Sequence, residues 1–161
     1  YWKEIAEQVA KLSARLGPVK AVYHEMIYED GQEGLEVLQR LNPESHRIVK
    51  QEVDRGAELR AAEDRDLATE ALDWERCLLV AVGETVRRRV LEFHAQASAR
   101  RYEHMGKRIA ETLKEGEIGL VFLREGHRLQ FPPDMEVFSV YPPSLDEINR
   151  WLRDHPASTG E

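Results

Sequence analysis

The sequence predicts an α/β protein with three layers, a mostly parallel sheet covered by helices on both faces, in a single domain over residues 1–153. Three observations carry this expectation. Short apolar runs rich in β-branched residues alternate with longer stretches of helical periodicity, which is the order of strand, crossover helix and parallel strand. Glycine, proline, asparagine and aspartate fall at the junctions between them. The 161 residues, 42% hydrophobic and 33% charged, have the size and composition of one soluble globular domain.

Ile5, Val9, Leu12 and Leu16 recur at spacings of four, three and four, one apolar helical stripe that Gly17-Pro18 ends. Residues 19–26 read as a strand followed by a turn at Asp30-Gly31. Leu35, Leu38 and Leu41 mark a short helix, and Asn42-Pro43 supplies an N-cap and a first-turn proline for the next, lined by Ile48, Val49 and Val53 and stopped by Gly56. Residues 57–62 alternate weakly, as an edge strand does. A helix is expected over residues 66–82, with Gly83 either breaking or only loosening it, and a long helical segment over residues 84–113.

That long segment carries two stripes. Val86, Val90, Phe93 and Ala97 form the first, and Tyr102, Met105, Ile109 and Leu113 the second. At about 100° per residue they do not share a face, so the helix must break, kink or change partner near residues 98–101. Residues 116–123, with glycine at each end and an apolar interior, read as the central strand. Residues 135–140 alternate as a last strand, and Ser144-Leu145-Asp146-Glu147 after Pro142-Pro143 has the form of a capping box before an amphipathic closing helix. The polar residues 154–161 are expected to fray. The chain opens on Tyr1 in helical pattern, so a further strand and ligand loop are expected upstream.

Composition excludes several functions. With 23 basic against 30 acidic residues and a formal net charge of −7, there is no basic field for nucleic acid. No apolar run approaches the roughly 20 residues of a membrane span and no charged-then-apolar leader precedes the first helix, so no membrane association and a cytoplasmic location are expected. The single cysteine, Cys77, permits no intramolecular disulfide and reads as a small buried hydrophobe.

In open parallel sheets ligands gather at the carboxyl ends of the strands. The residues expected there are His24, Glu25, Glu29, Glu63, Asp64 and His127, joined from the long helix by Arg101 and His104. His24 and Glu25 are neighbours on a strand and point to opposite faces, so only one enters the site, and Glu25 is the choice. Carboxylate and imidazole groups act as general acid, base or metal ligand near neutral pH because burial and neighbours move their pKa values into range. Glu25 or Glu63 is thus expected as general base or ligand, His127 as acid, base or ligand, and Arg101 as the group that binds an anionic or carbonyl oxygen. A divalent metal held by Glu25, Glu63 and His127 belongs to the same expectation.

No motif names a reaction: there is no helical His-Glu-x-x-His, no Gly-x-Ser-x-Gly elbow and no phosphate-cradling glycine loop. Plainer roles stand beside the catalytic ones. Asp64 or Asp66 fits a helix N-cap, Glu63 a solvated loop acid, His127 a histidine bonded to backbone, and Arg101 a structural ion pair. His46 suits a surface or capping position, Arg87-Arg88-Arg89 a solvated helix face offset by Glu84 and Glu92, and Trp74 and His94 packing.

Two blocks carry a resemblance. The residues from Ser45-His46 through Gly56-Ala57 to Glu63-Asp64, and those from Arg101 through Arg108-Ile109, Thr112-Leu113 and Gly116-Glu117-Ile118-Gly119 to His127, resemble an uncharacterised prokaryotic family of α/β proteins over about residues 19–140. More distantly, Glu25 at a strand end, Arg101-x-x-x-Met105-Gly106 and Gly126-His127 are similar to the erythromycin-esterase, haem-binding ChaN and TraB superfamily. The resemblance implies a strand-end pocket used for ester hydrolysis, tetrapyrrole binding or metal-dependent peptidase work. The superfamily's early Gly-Glu-x-His motif would lie upstream of Tyr1, and Tyr102 stands where an aspartate is usual.

The function expected from these residues is a hydrolase-like enzyme acting on a small-molecule substrate that the sequence does not identify. The alternative is a non-catalytic module for a small ligand, metal or tetrapyrrole. A third expectation is a homo-oligomer in which Trp2, Trp151 and residues 131–143 form the contact.

Overall fold

The computed structural model describes residues 1–155, which divide into two compact units, one of residues 19–136 and one that combines residues 1–18 with those from 137 onward. The protein is helix-rich, about 61% helical, around a small parallel sheet, and is of the α/β class. The tail expected to fray lies, from residue 156 on, outside the described residues.

In the larger unit, β1 (Val19–His24) is the middle strand, flanked in parallel by β2 (Glu58–Leu59) and β3 (Ile118–Phe122), in the order β2-β1-β3. Val22 pairs with Leu59 on one side and Leu120 on the other. The expected central strand, 116–123, is therefore an edge. Ala21, Val22 and Tyr23 of β1 have no exposed surface, whereas every residue of β3 is only half-buried. An apolar run tells that a strand is covered on its faces and says nothing of its hydrogen-bonding edges.

A bulge adjusts β1. Val19 pairs with Ile118 and Ala21 with Gly119, so Lys20 has no partner in β3 and points to solvent. The extra residue changes which side chains share a face. Val19 and Val22 join a core cluster with Leu35 and Leu38 of α2 (Gly31–Leu41) and Val49 of α3 (Pro43–Asp54). Ala21 and Tyr23 join another, with Tyr102, Met105 and Ile109 of α5 (Glu84–Thr112). Gly119 lies under that second cluster, where a Cβ would sit 3.1 Å from Leu113 and 3.6 Å from Tyr23.

The helix signals at Asn42-Pro43, Asp64 and Gly56 occur where the sequence places them. Asn42 accepts the Ser45 N–H at 3.1 Å, with Pro43 in the first turn of α3. Asp64 caps α4 (Arg65–Val80) by accepting from the N–H groups of Asp66 and Leu67 at 3.0 and 2.9 Å. Gly56, at φ 101°, follows α3 in the left-handed conformation that glycine adopts without a side-chain clash. Gly34 serves a different need, because a Cβ there would lie 2.2 Å from the Glu29 carbonyl oxygen.

α5 is one unbroken helix, so the two stripes are reconciled by a change of partner. Its first half packs along α4, where Phe93 stacks on Trp74 with ring centres 4.8 Å apart, and its second half packs on the sheet. Cys77, expected to be buried, is half-buried on α4. The basic run Arg87–Arg89 is exposed, with Arg89 paired to Glu92.

No strand forms over residues 135–140. Pro132-Pro133 and Pro142-Pro143 bracket the segment, and alternation without a partner edge does not make a strand. In the smaller unit, α1 (Trp2–Leu16) and α6 (Pro143–Asp154) are joined by Ser144, whose N–H and hydroxyl donate to the Glu4 carboxylate at 3.2 and 2.7 Å. Those bonds hold the Glu4 carboxyl below its usual range. The expected capping box is not made: Pro142 occupies the N-cap position, and the acid that serves Ser144 is Glu4 rather than Glu147. Trp151 is exposed and stacks on His155, whereas Trp2 is half-buried against Tyr1. No helix among the described residues is long and apolar enough to cross a membrane.

Candidate functional site

Glu25 is the first residue past β1, and its N–H donates to the Phe122 carbonyl at 2.9 Å, so it stands on the carboxyl edge of the sheet. The next residue, Met26, has φ 70°, a left-handed backbone that a side chain rarely adopts. That turn directs the Met26 N–H to Glu63 Oε1 at 3.3 Å and so joins the end of β1 to the segment after β2. Arg101, on the inner face of α5, completes the contact.

The guanidinium of Arg101 donates through Nε to Glu63 Oε2 at 3.0 Å and through Nη2 to Glu25 Oε1 at 2.9 Å, with a further, shorter bond from Nη2 to Glu63 Oε1. Its side chain is 1% exposed, and Glu25 and Glu63 are buried beside it. Arg124, two residues past the end of β3, covers Glu25 from the other side. Its backbone N–H donates to Glu25 Oε2 at 2.7 Å and its Nε to Oε1 at 2.9 Å, while Nη1 reaches both oxygens of Glu75 on α4 at 3.1 Å. All three strand ends and two helices therefore converge on five interlocked charges, Glu25, Glu63, Glu75, Arg101 and Arg124.

The electrostatics follow from that packing. Burial alone would lower the pKa of the Arg101 guanidinium, and the hydrogen bonds and charge of Glu63, with Glu25 behind them, raise it above its ordinary value. Burial opposes the charge of Arg124 in the same way, and Glu75 and Glu25 outweigh it. Burial and the nearby Glu25 carboxylate push the Tyr102 phenol up. The carboxylates are heavily used: Glu25 Oε1 and Glu63 Oε1 each accept two donors, and Glu25 Oε2 and Glu63 Oε2 one each. One donor is left over. Arg101 Nη1 is buried and has no hydrogen-bond partner.

Of the expected site residues, Glu25, Glu63 and Arg101 are brought together. His127 is not hydrogen-bonded to them; its Nδ1 accepts the Leu129 N–H at 3.2 Å and its ring meets the edge of Tyr102 at 6.4 Å. Among the described residues no three His, Cys, Asp or Glu side chains gather to hold a metal ion, and the expected set Glu25, Glu63 and His127 does not form one. Arg101 takes the place a cation would have between the two carboxylates. His24 points away, as its neighbour's choice requires, donating from Nδ1 to the Glu25 carbonyl at 2.6 Å and meeting Ser45 Oγ with Nε2 at 3.0 Å. Glu29 pairs with Arg65, Asp64 caps α4, and His104 is half-buried on α5.

Sequence reasoning missed Arg124, Glu75 and Met26. Arg124 had a signal, since it follows β3 as Glu25 follows β1. Met26 had none, because no glycine or asparagine marks its left-handed turn. Two shallow surface depressions, of about 410 Å³ beside His46 and Lys50 on α3 and about 390 Å³ beside Arg60 and Thr112, open elsewhere and are not lined by the cluster. In comparisons with known proteins, the chain matches no family model, no curated protein and no solved structure.

Proposed function

We propose that this chain is a non-catalytic α/β module that binds a small ligand through an acceptor oxygen, a carboxylate, phosphate or carbonyl, at the carboxyl ends of the strands. In this reading α2 and α3, the sheet, and α5 are the three layers of one supporting domain. The observation that carries it is the unpartnered NH2 group of Arg101 Nη1 inside an otherwise satisfied cluster. A buried donor without an acceptor costs about 1–3 kcal/mol, and a ligand oxygen supplies what the protein does not. Arg124, whose side chain is 39% exposed, forms the cover through which that oxygen would pass and offers it a second guanidinium. The resemblance to the erythromycin-esterase, ChaN and TraB superfamily supports a strand-end pocket of this kind.

The hydrolase-like reading rests on the same convergence. Its specific support is that Glu25 Oε2 and Glu63 Oε2 each keep a lone pair for a water, with His127 as the nearby acid or base. It is the weaker reading, because neither carboxylate presents a pair of free oxygens and His127 already accepts a backbone N–H.

A thermal-shift series with small carboxylates, inorganic phosphate and phosphate monoesters, run beside a generic ester-hydrolysis assay, separates the two. The binding reading expects a saturable rise in Tm, about 2.7 kcal/mol of stabilisation at a hundredfold excess over Kd, that is diminished in Arg124→Gln and unaccompanied by turnover. Ester turnover that disappears in His127→Ala would replace it with the hydrolase reading, and an unmoved Tm across the series would remove it.

A further inference from the structure

A methionine sulfur stands among the charges at the end of β1. The chain turns at Met26, with φ 70°, and the residue is half-buried beside the cluster. Two donors meet its thioether. The Tyr28 hydroxyl donates to Sδ at 3.7 Å and Arg101 Nη2 at 3.8 Å. Burial and the Glu63 carboxylate push the Tyr28 phenol up, so it keeps its proton, and the Arg65 guanidinium lies 4.6 Å from the centre of its ring.

A thioether is a weak acceptor, and these donors gain little from it. Oxidation changes that balance, because methionine sulfoxide carries a polar oxygen where the thioether had only a lone pair. An interaction that strengthens as the oxygen is transferred favours the transfer over the starting thioether. The other two methionines lack this setting. Met105 is 1% exposed, in the core beneath α5. Met135 is half-buried but packs on the apolar cluster around Tyr23 and Leu129, and no hydrogen bond reaches its sulfur among the described residues.

We infer that Met26 is a site of reversible oxidation by hydroperoxides, with the sulfoxide oxygen held by Arg101 and Tyr28. With hydrogen peroxide, a sulfur lone pair forms the S–O bond as the O–O bond breaks. The thioether is oxidised and the peroxide reduced by two electrons, and the proton of the transferred hydroxyl passes to the departing hydroxide, which leaves as water. The inference stands apart from the ligand reading of the cluster, since it rests on the bonds already made to Sδ.

Limited treatment of the full native chain with hydrogen peroxide, followed by peptide mass spectrometry at successive times, tests it. Met26 is expected to convert first, Met135 more slowly and Met105 last, whereas in urea, where the fold no longer sets their surroundings, the three convert at one rate. Tyr28→Phe keeps the ring beside Arg65 and removes only the hydroxyl. It is expected to slow Met26 by about fivefold, the worth of one ordinary hydrogen bond, and to leave Met135 unchanged. The order in the parent chain needs no variant, so it decides the matter if Tyr28→Phe loosens the turn. Met135 converting ahead of Met26 in the native parent would overturn the inference. So would Met26 converting in Tyr28→Phe as fast as in the parent, or faster, with the circular dichroism spectrum unchanged.

Discussion

Arg101 is held at 1% exposure between two carboxylates, and what it stabilises is best seen by removing it. Arg101→Met leaves Glu25 and Glu63 buried together and is expected to cost about 3–5 kcal/mol in urea unfolding, whereas Arg101→Met with Glu63→Leu recovers part of that loss because the uncompensated charge is gone. A single variant within about 1 kcal/mol of the parent would show that the pair is not buried as described. His24 gives a test of opposite kind. Burial lowers its pKa below the ordinary value, against the Glu25 carbonyl and charge that raise it. The unfolded chain therefore takes up the proton first, near pH 6.5, and the stability His24 contributes is present above that pH and lost as pH falls toward the native value. Urea midpoints at pH 7.5 and 5.5 are expected to differ less in His24→Asn than in the parent, and an equal fall in both would sink the assignment. At this scale the sequence placed Glu25, Glu63 and Arg101 on one sheet edge, where the three side chains meet. Their mutual pairing depends on the left-handed turn at Met26, which leaves no mark in residue type.

Among the elements, the ends were readable and the neighbours were not. Asn42, Asp64 and Gly56 act through bonds or dihedrals local to themselves, so their residue types announce them. Asn42→Ala is expected to cost about 1 kcal/mol, read as a lowered Tm, with α3 still formed. The position of β3 at the edge and the missing strand over residues 135–140 depend instead on distant partners, which periodicity does not encode. Gly34 shows the same limit in reverse. Glycine inside a helix ordinarily reads as a replaceable weakness, worth about 1 kcal/mol in favour of alanine. Here the Glu29 carbonyl lies 2.2 Å from where a Cβ would be, so Gly34→Ala is expected to destabilise by about 1–3 kcal/mol. A stabilised Gly34→Ala in thermal unfolding would mean that α2 does not approach the β1–α2 connection so closely.

For the whole molecule, alternation of strand and helix was enough to read the α/β class, because each unit of that pattern must return the chain in the same direction. The pattern did not show that α5 spends half its length away from the sheet, since a helix that changes partner keeps its period. The same distinction governs function. The kinds of residue at the strand ends announced charge chemistry, but only their arrangement leaves one guanidinium NH2 group, Nη1 of Arg101, without an acceptor. The functional reading turns on that group. Crystals grown with and without a ligand chosen from the thermal-shift series measure it directly, through the density at Arg101 Nη1. The account predicts a ligand oxygen about 2.9 Å from Nη1, the ordinary length of an N–H···O bond, with Arg124 drawn onto the same group. Density for nothing but an ordered water at Nη1 in both crystals would contradict it and leave the cluster a structural one.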